Sequence, residues 1–176
     1  MKENIKIAVS GRSGCGNTTV SKMVADTLGL HFINFTFRSL AKERGVDLNT
    51  ILALSAQDDS IDKELDARQV KLALDGNGCV LGSRLAIWIL EEADLKIYLD
   101  ANPLTRAKRI MEREGGSIEE VAEFTAERDK QDHDRYLRIY GIDTNNYSFA
   151  DLIIETDYLT PQQIADKIIE NARKIV

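Results

Sequence analysis

The sequence predicts an α/β fold: a five-stranded parallel sheet in a three-layer arrangement, with helices on both faces. Three observations predict it. Short apolar runs alternate with longer amphipathic segments along the 176 residues. The runs are those of strands buried on both faces, as in a parallel sheet. No Pro- or Ser-rich linker and no internal repeat divides the chain, whose length is that of one domain.

The elements follow in order. Ile5–Ser10 is a first strand that ends at a glycine-rich turn. Thr18–Leu28 is a helix, with Val20, Met23, Val24 and Leu28 on one stripe and Gly29 at its end. His31–Asn34 is a short second strand. Phe37–Arg44 and Leu48–Ser55 read as short helices, and Ser60–Leu74 as a longer one. Cys79–Gly82 is the third strand, Arg84–Glu91 a helix and Leu95–Leu99 the fourth strand. Asn102-Pro103 reads as a cap and a first helical position, opening Pro103–Arg113. Ser117–Tyr140 opens on the capping box Ser117-x-x-Glu120. Asp151–Glu155 is the fifth strand. Thr160-Pro161, with Gln163 completing a second capping box, opens Pro161–Lys174.

Composition narrows the function classes. Hydrophobic residues make up 43% and charged residues 30%, a globular balance. The formal net charge of −6 argues against a nucleic-acid coat or a basic membrane-surface protein. It leaves room for a local cluster of positive charge around a phosphate. Two cysteines, Cys15 and Cys79, make no disulfide framework, so a reducing, cytoplasmic setting is expected. The apolar run before Gly11 is too short for a signal peptide, and no stretch reaches the length of a membrane span. His31 and His133 lack metal-ligand spacing.

The strongest motif is the first turn. Gly11, Arg12, Ser13, Gly14, Cys15, Gly16, Asn17, Thr18 and Thr19 lie between strand and helix with P-loop spacing. Glycines let the backbone curl so that its amides face phosphate oxygens, and the helix N-terminus adds further amides. Thr18 supplies a hydroxyl for Mg2+. Asn17 stands where the pattern places lysine. That lysine carries a charge to the β- and γ-phosphates, and losing it costs roughly 100- to 1000-fold in rate. Arg12, inside the loop, and Lys22, one turn into the helix, are the candidates to replace it.

Taken with Arg38, Arg84 and the helix carrying Arg128–Arg135, this loop resembles that of the nucleoside monophosphate kinases. Within them the chain is similar to cytidylate kinases, especially the short archaeal-type and spirochaete-like forms. Leu81-Gly82-Ser83-Arg84-Leu85-Ala86-Ile87-Trp88, Ala93-Asp94-Leu95-Lys96-Ile97-Tyr98-Leu99 and Glu127-Arg128-Asp129 carry the likeness. The resemblance implies a P-loop NTPase core. A helical monophosphate-binding insertion at about 35–75 and a helical lid at about 114–141 complete the single domain, residues 1–176.

It also implies roles. The loop Gly11–Thr19 would bind ATP, with Mg2+ on Thr18. Arg38 and Arg84 would clamp the acceptor monophosphate, since a planar guanidinium binds two phosphate oxygens at once. Arg128, Asp132 and Arg135 share one helix face. Arg128 would neutralise the transferring phosphoryl group, while Asp132 and Arg135 would read the pyrimidine. Arg128, Arg84 and Asn17 form the expected catalytic set. Gly115-Gly116 would hinge the lid. The acidic run Asp58–Asp66 with Arg68 either touches the nucleoside or is a solvated helix face. Arg106, Arg109 and Arg113 follow the fourth strand, one of them approaching the donor, and Glu155-Thr156-Asp157-Tyr158 would border adenine. No acidic residue ends the third strand, so Ser83 or water would complete the Mg2+ shell.

The expected activity is ATP-dependent phosphorylation of CMP, extending to dCMP or UMP, by a monomer without nucleic-acid or membrane partners. Two rivals stay open. Asn17 is compatible with a non-catalytic or weakly active nucleotide-binding protein of the same fold. A kinase of another small acceptor, such as shikimate or a sugar acid, is the other.

Overall fold

The computed structural model describes residues 1–175. Five parallel strands form one sheet in the order β2-β3-β1-β4-β5. They are β1 (Lys6–Gly11), β2 (His31–Ile33), β3 (Cys79–Gly82), β4 (Leu95–Asp100) and β5 (Leu152–Glu155). The helices are α1 (Asn17–Leu28), α2 (Phe37–Arg44), α3 (Leu48–Ser55), α4 (Ser60–Asp75), α5 (Ala86–Ile89), α6 (Pro103–Glu114), α7 (Ile118–Tyr140) and α8 (Pro161–Lys174). The predicted α/β order therefore holds element by element. No described helix is long and apolar enough to cross a membrane.

Register places the site. β1 pairs with β3 on one side (Val9 opposite Gly82) and with β4 on the other (Gly11 opposite Leu99). The chain leaves β1 for an edge strand, returns beside β1 as β3, then crosses to β4. Such a reversal opens a crevice at the carboxyl ends of the central strands. The glycine-rich turn sits there.

Two apolar layers flank the sheet. Ile7, Val9, Ile97 and Leu99 pack with Val20 and Val24 of α1 and Ile164 and Ile168 of α8. On the other face Ala8, Leu81 and Tyr98 pack with Ile87 and Leu90 around α5. Leu40, Ala41, Ile51 and Ile61 of α2, α3 and α4 form a separate small cluster. The three expected capped starts are present: Asn102 accepts from Thr105, and Ser117 and Thr160 close capping boxes.

Two expectations need correction. The edge strands are not buried on both faces: β5 leaves Ile153 and Glu155 exposed, and β2 leaves His31 exposed. The helix expected over Arg84–Glu91 contracts to Ala86–Ile89. Leu85 ahead of it has φ −101° and ψ 3°, outside helical geometry, so Arg84 lies in a bend rather than in a helical first turn.

Candidate active site at the glycine-rich loop

The loop is shaped by three constraints. Gly14 and Gly16 have φ of +83° and +94°, a region that favours glycine. A Cβ on Gly11 would lie 2.4 Å from the Cys15 sulfur and 2.7 Å from Leu99 O. The Cys15 side chain turns into the core, so the loop offers only its backbone there. Loop amides act to lower the pKa of this thiol. Burial wins instead and pushes its pKa up to about 11. Cys15 N–H donates to Arg12 O at 3.1 Å. The N–H groups of Ser13, Gly14 and Gly16 have no protein acceptor among the described residues.

Two arginines of α6 brace the loop from below. Arg106 is buried, donates to Ser13 O at 3.2 Å and pairs with Asp129 of α7 at 2.7 Å. Arg109 donates to Gly14 O at 3.4 Å and to Thr156 Oγ1 and O at 3.0 and 2.6 Å. Thr156 is fully buried and ties the segment after β5 to this loop. Arg113 points away and pairs with Glu114.

Asn17 faces inward. Its amide donates to Val9 O at 2.8 Å and Ser83 O at 3.3 Å, and its oxygen accepts from Ser21 at 2.8 Å. The side chain thus joins the ends of β1 and β3. Lys22 pairs with Asp26 on the solvent side of α1. Thr18 and Thr19 are exposed at the helix start. Ser83 Oγ is buried and has no partner among the described residues, near the same helix start. Two hydroxyls beside open phosphate amides suit Mg2+, which takes few protein oxygens and keeps several waters.

The other expected residues fall into two groups. Arg84, Asp132 and Arg135 are joined: Arg84 donates to Asp132 and to Ser13 Oγ at 2.7 Å, and Arg135 bonds the other Asp132 oxygen at 3.0 Å. Arg128 lies beside Arg84 and has no hydrogen-bond or ion-pair partner among the described residues. Its side chain is exposed, yet partial desolvation, then that like charge, hold its pKa below the usual arginine value. Arg38 is exposed at the start of α2, unpaired among the described residues. Arg12 reaches Asn145 Oδ1 at 2.6 Å.

A small cavity of about 30 Å³ lies between Gly11, Arg12, Arg84, Asp132 and Tyr136. A larger one, about 370 Å³, lies between the loop, α6 and α7. No group of three or more metal-binding side chains occurs among the described residues.

The acidic run is only in part a solvated face: Asp58 and Glu64 are exposed. Asp62 and Asp66 are buried where α4 meets α7. Asp62 lies 3.4 Å from Arg135, Asp66 accepts from Tyr140 at 2.6 Å, and Asp59 pairs with Arg138 at 2.5 Å. Arg68 turns outward to Glu43. Sequence reasoning missed the partners Asn145, Tyr140 and Asp129, which no local pattern marks.

Residues 6–158 match the cytidylate kinase-like family. The chain is 45% identical over 174 residues to cytidylate kinase 2 of Borreliella afzelii, covering 97% of each chain. It is 43% identical over 165 residues to cytidylate kinase of Pyrococcus horikoshii, covering 93% of this chain and 85% of that one. Its fold is similar to that of shikimate kinase from Bacteroides thetaiotaomicron, with a TM-score of 0.62, 15% identity and coverage of 97% and 96%.

Proposed function

Because the chain belongs to the cytidylate kinase-like family, we propose that it transfers the γ-phosphoryl group of ATP to CMP. The observation that carries this reading is a cleft at the loop's open amides that Arg84 lines, with the unpaired Arg128 near Arg84. It is an ATP-dependent phosphotransferase acting on nucleoside monophosphates. The acting unit is a cytoplasmic monomer. Residues 35–75 serve as the monophosphate-binding insertion, and residues 114–141 as a lid hinged at Gly115-Gly116.

The donor phosphates rest on the backbone of Gly11–Thr19. Thr18, with Ser83 and water as further oxygens, would hold Mg2+ carried with ATP, which would neutralise phosphate charge. Arg38 and Arg84 clamp the CMP phosphate. Binding frees Asp132 from Arg84 to meet the nucleoside, together with Arg135. A CMP phosphate oxygen then attacks the γ-phosphorus, the bond to the bridging oxygen breaks, and CDP and ADP form. The attacking oxygen is already anionic, so no strong general base is required. Catalysis is positioning plus charge neutralisation, to which Arg128 contributes.

The placement of Asn17 favours a second reading. Its amide is committed to the framework, which suits a nucleotide binder with weak or no transfer. One assay separates the two: purified protein, Mg2+-ATP and a panel of CMP, dCMP, UMP, AMP and GMP, with ADP release as the readout. Turnover highest with CMP, and about 1000-fold lower in Arg128→Ala, is expected. Binding of ATP and CMP without ADP release supports the second reading.

A further inference from the structure

We propose that Arg12 supplies the donor phosphates with the positive charge that position 17 lacks. The proposal rests on the phosphotransfer reading above. It follows from what each cation near the loop already holds.

Asn17 is neutral, and its amide nitrogen and oxygen are engaged by Val9, Ser83 and Ser21. Lys22 is turned to solvent and paired with Asp26 at 2.9 Å. Arg106 is committed to Ser13 O and Asp129, and Arg109 to Gly14 O and Thr156. Both brace the loop from its protein side. Arg84 is bound to Ser13 Oγ and Asp132. Each of these arginines has a carboxylate or a braced backbone group as partner. Arg128 and Lys130 have no partner among the described residues, but both come from α7 and not from the loop.

Arg12 differs. Its one partner among the described residues is the neutral amide oxygen of Asn145, in an exposed contact of 2.6 Å. Asn145 is itself held by a local turn, its N–H donating to Asp143 at 2.9 Å. Arg12 lines both cavities between the loop and α7, beside Arg84 in one and beside Arg106 and Lys130 in the other. A phosphate oxygen is a far better acceptor than an amide. The bond to Asn145 has a single neutral acceptor, whereas a phosphate brings an opposite charge and lets the guanidinium make two bonds in parallel. Exchange of Asn145 for phosphate is therefore downhill. The positive charge reaches the phosphates from the first turn of the loop, where the usual lysine reaches them from the helix start.

The test uses the full chain and the variants Arg12→Ala, Arg12→Lys and Arg12→Ala with Asn17→Lys. Expected is a kcat roughly 100- to 1000-fold lower in Arg12→Ala, with KM for CMP nearly unchanged. Arg12→Lys should recover at least tenfold over Arg12→Ala, and so should the double variant. An Arg12→Ala kcat within threefold of wild type overturns the proposal, as do equal rates for Arg12→Ala and Arg12→Lys. Equilibrium binding separates this from failure of the kinase reading. Should the wild type turn over no monophosphate, Arg12→Ala must still weaken ATP at least tenfold while leaving AMP unchanged. Equal effects on ATP and AMP, or none, overturn it there too.

Discussion

Arg106 shows most clearly how a single side chain shapes the loop. It is buried, holds Ser13 O from below and neutralises Asp129 across the α6–α7 contact. A Cβ on Gly14 would lie 2.7 Å from Arg106 O, so loop and arginine are fitted to each other. Removing one partner of a buried ion pair costs about 3–5 kcal/mol, because the other charge stays behind. Arg106→Met should lower unfolding stability by about 3 kcal/mol in urea titration, and also weaken ATP binding by loosening Ser13. The sequence offered Arg106, Arg109 and Arg113 as a group from which one approaches the donor, and did not put Arg106 beneath the loop. Its partners are Ser13, far back in the chain, and Asp129, on a different helix, and no spacing rule connects them.

Among the elements, the meeting of α4 with α7 is where sequence and structure differ most. A run with Asp58, Asp59, Asp62, Glu64 and Asp66 has the composition of a wet helix face. Tertiary packing puts Asp62 and Asp66 against Arg135 and Tyr140 instead. Burial raises the pKa of Asp66 from 3.8 to about 6, despite the Tyr140 hydroxyl donating to it. The folded state thus prefers the neutral acid. Stability is full below about pH 4 and falls as pH rises through about 6, where the buried carboxyl must ionise. Asp66→Asn keeps an acceptor for Tyr140 and removes that ionisation. The variant should match wild type near pH 4 and exceed it by roughly 2–3 kcal/mol above pH 7. Chemical denaturation at pH 4, 6 and 8 measures the difference, and a gap that does not change with pH contradicts it.

Across the whole molecule, a net charge of −6 coexists with Arg12, Arg84 and Arg106 on two adjoining cavities beside the loop, with Arg128 near Arg84 and Arg135 on Asp132. Local potential, not total charge, draws in an anionic substrate. The single tryptophan, Trp88, lines the small cavity beside Arg84 and Asp132. CMP titration should change its emission, and Arg84→Ala should shift the midpoint at least tenfold, as loss of a charge-assisted bond implies. An unchanged midpoint would place the acceptor elsewhere. By itself the sequence determined the strand and helix order, the capped helix starts at Asn102, Ser117 and Thr160, and the glycine loop ahead of α1. All of these are written in contacts a few residues apart, through periodicity, capping and backbone freedom. Only the tertiary structure decided which charges are already taken. Asn17 turned to the sheet, Lys22 to Asp26, Asp132 to Arg84 and Arg135, and Arg12 to a neutral amide. A charge's partner is set by distance in space, and these partners lie on segments that only folding brings together.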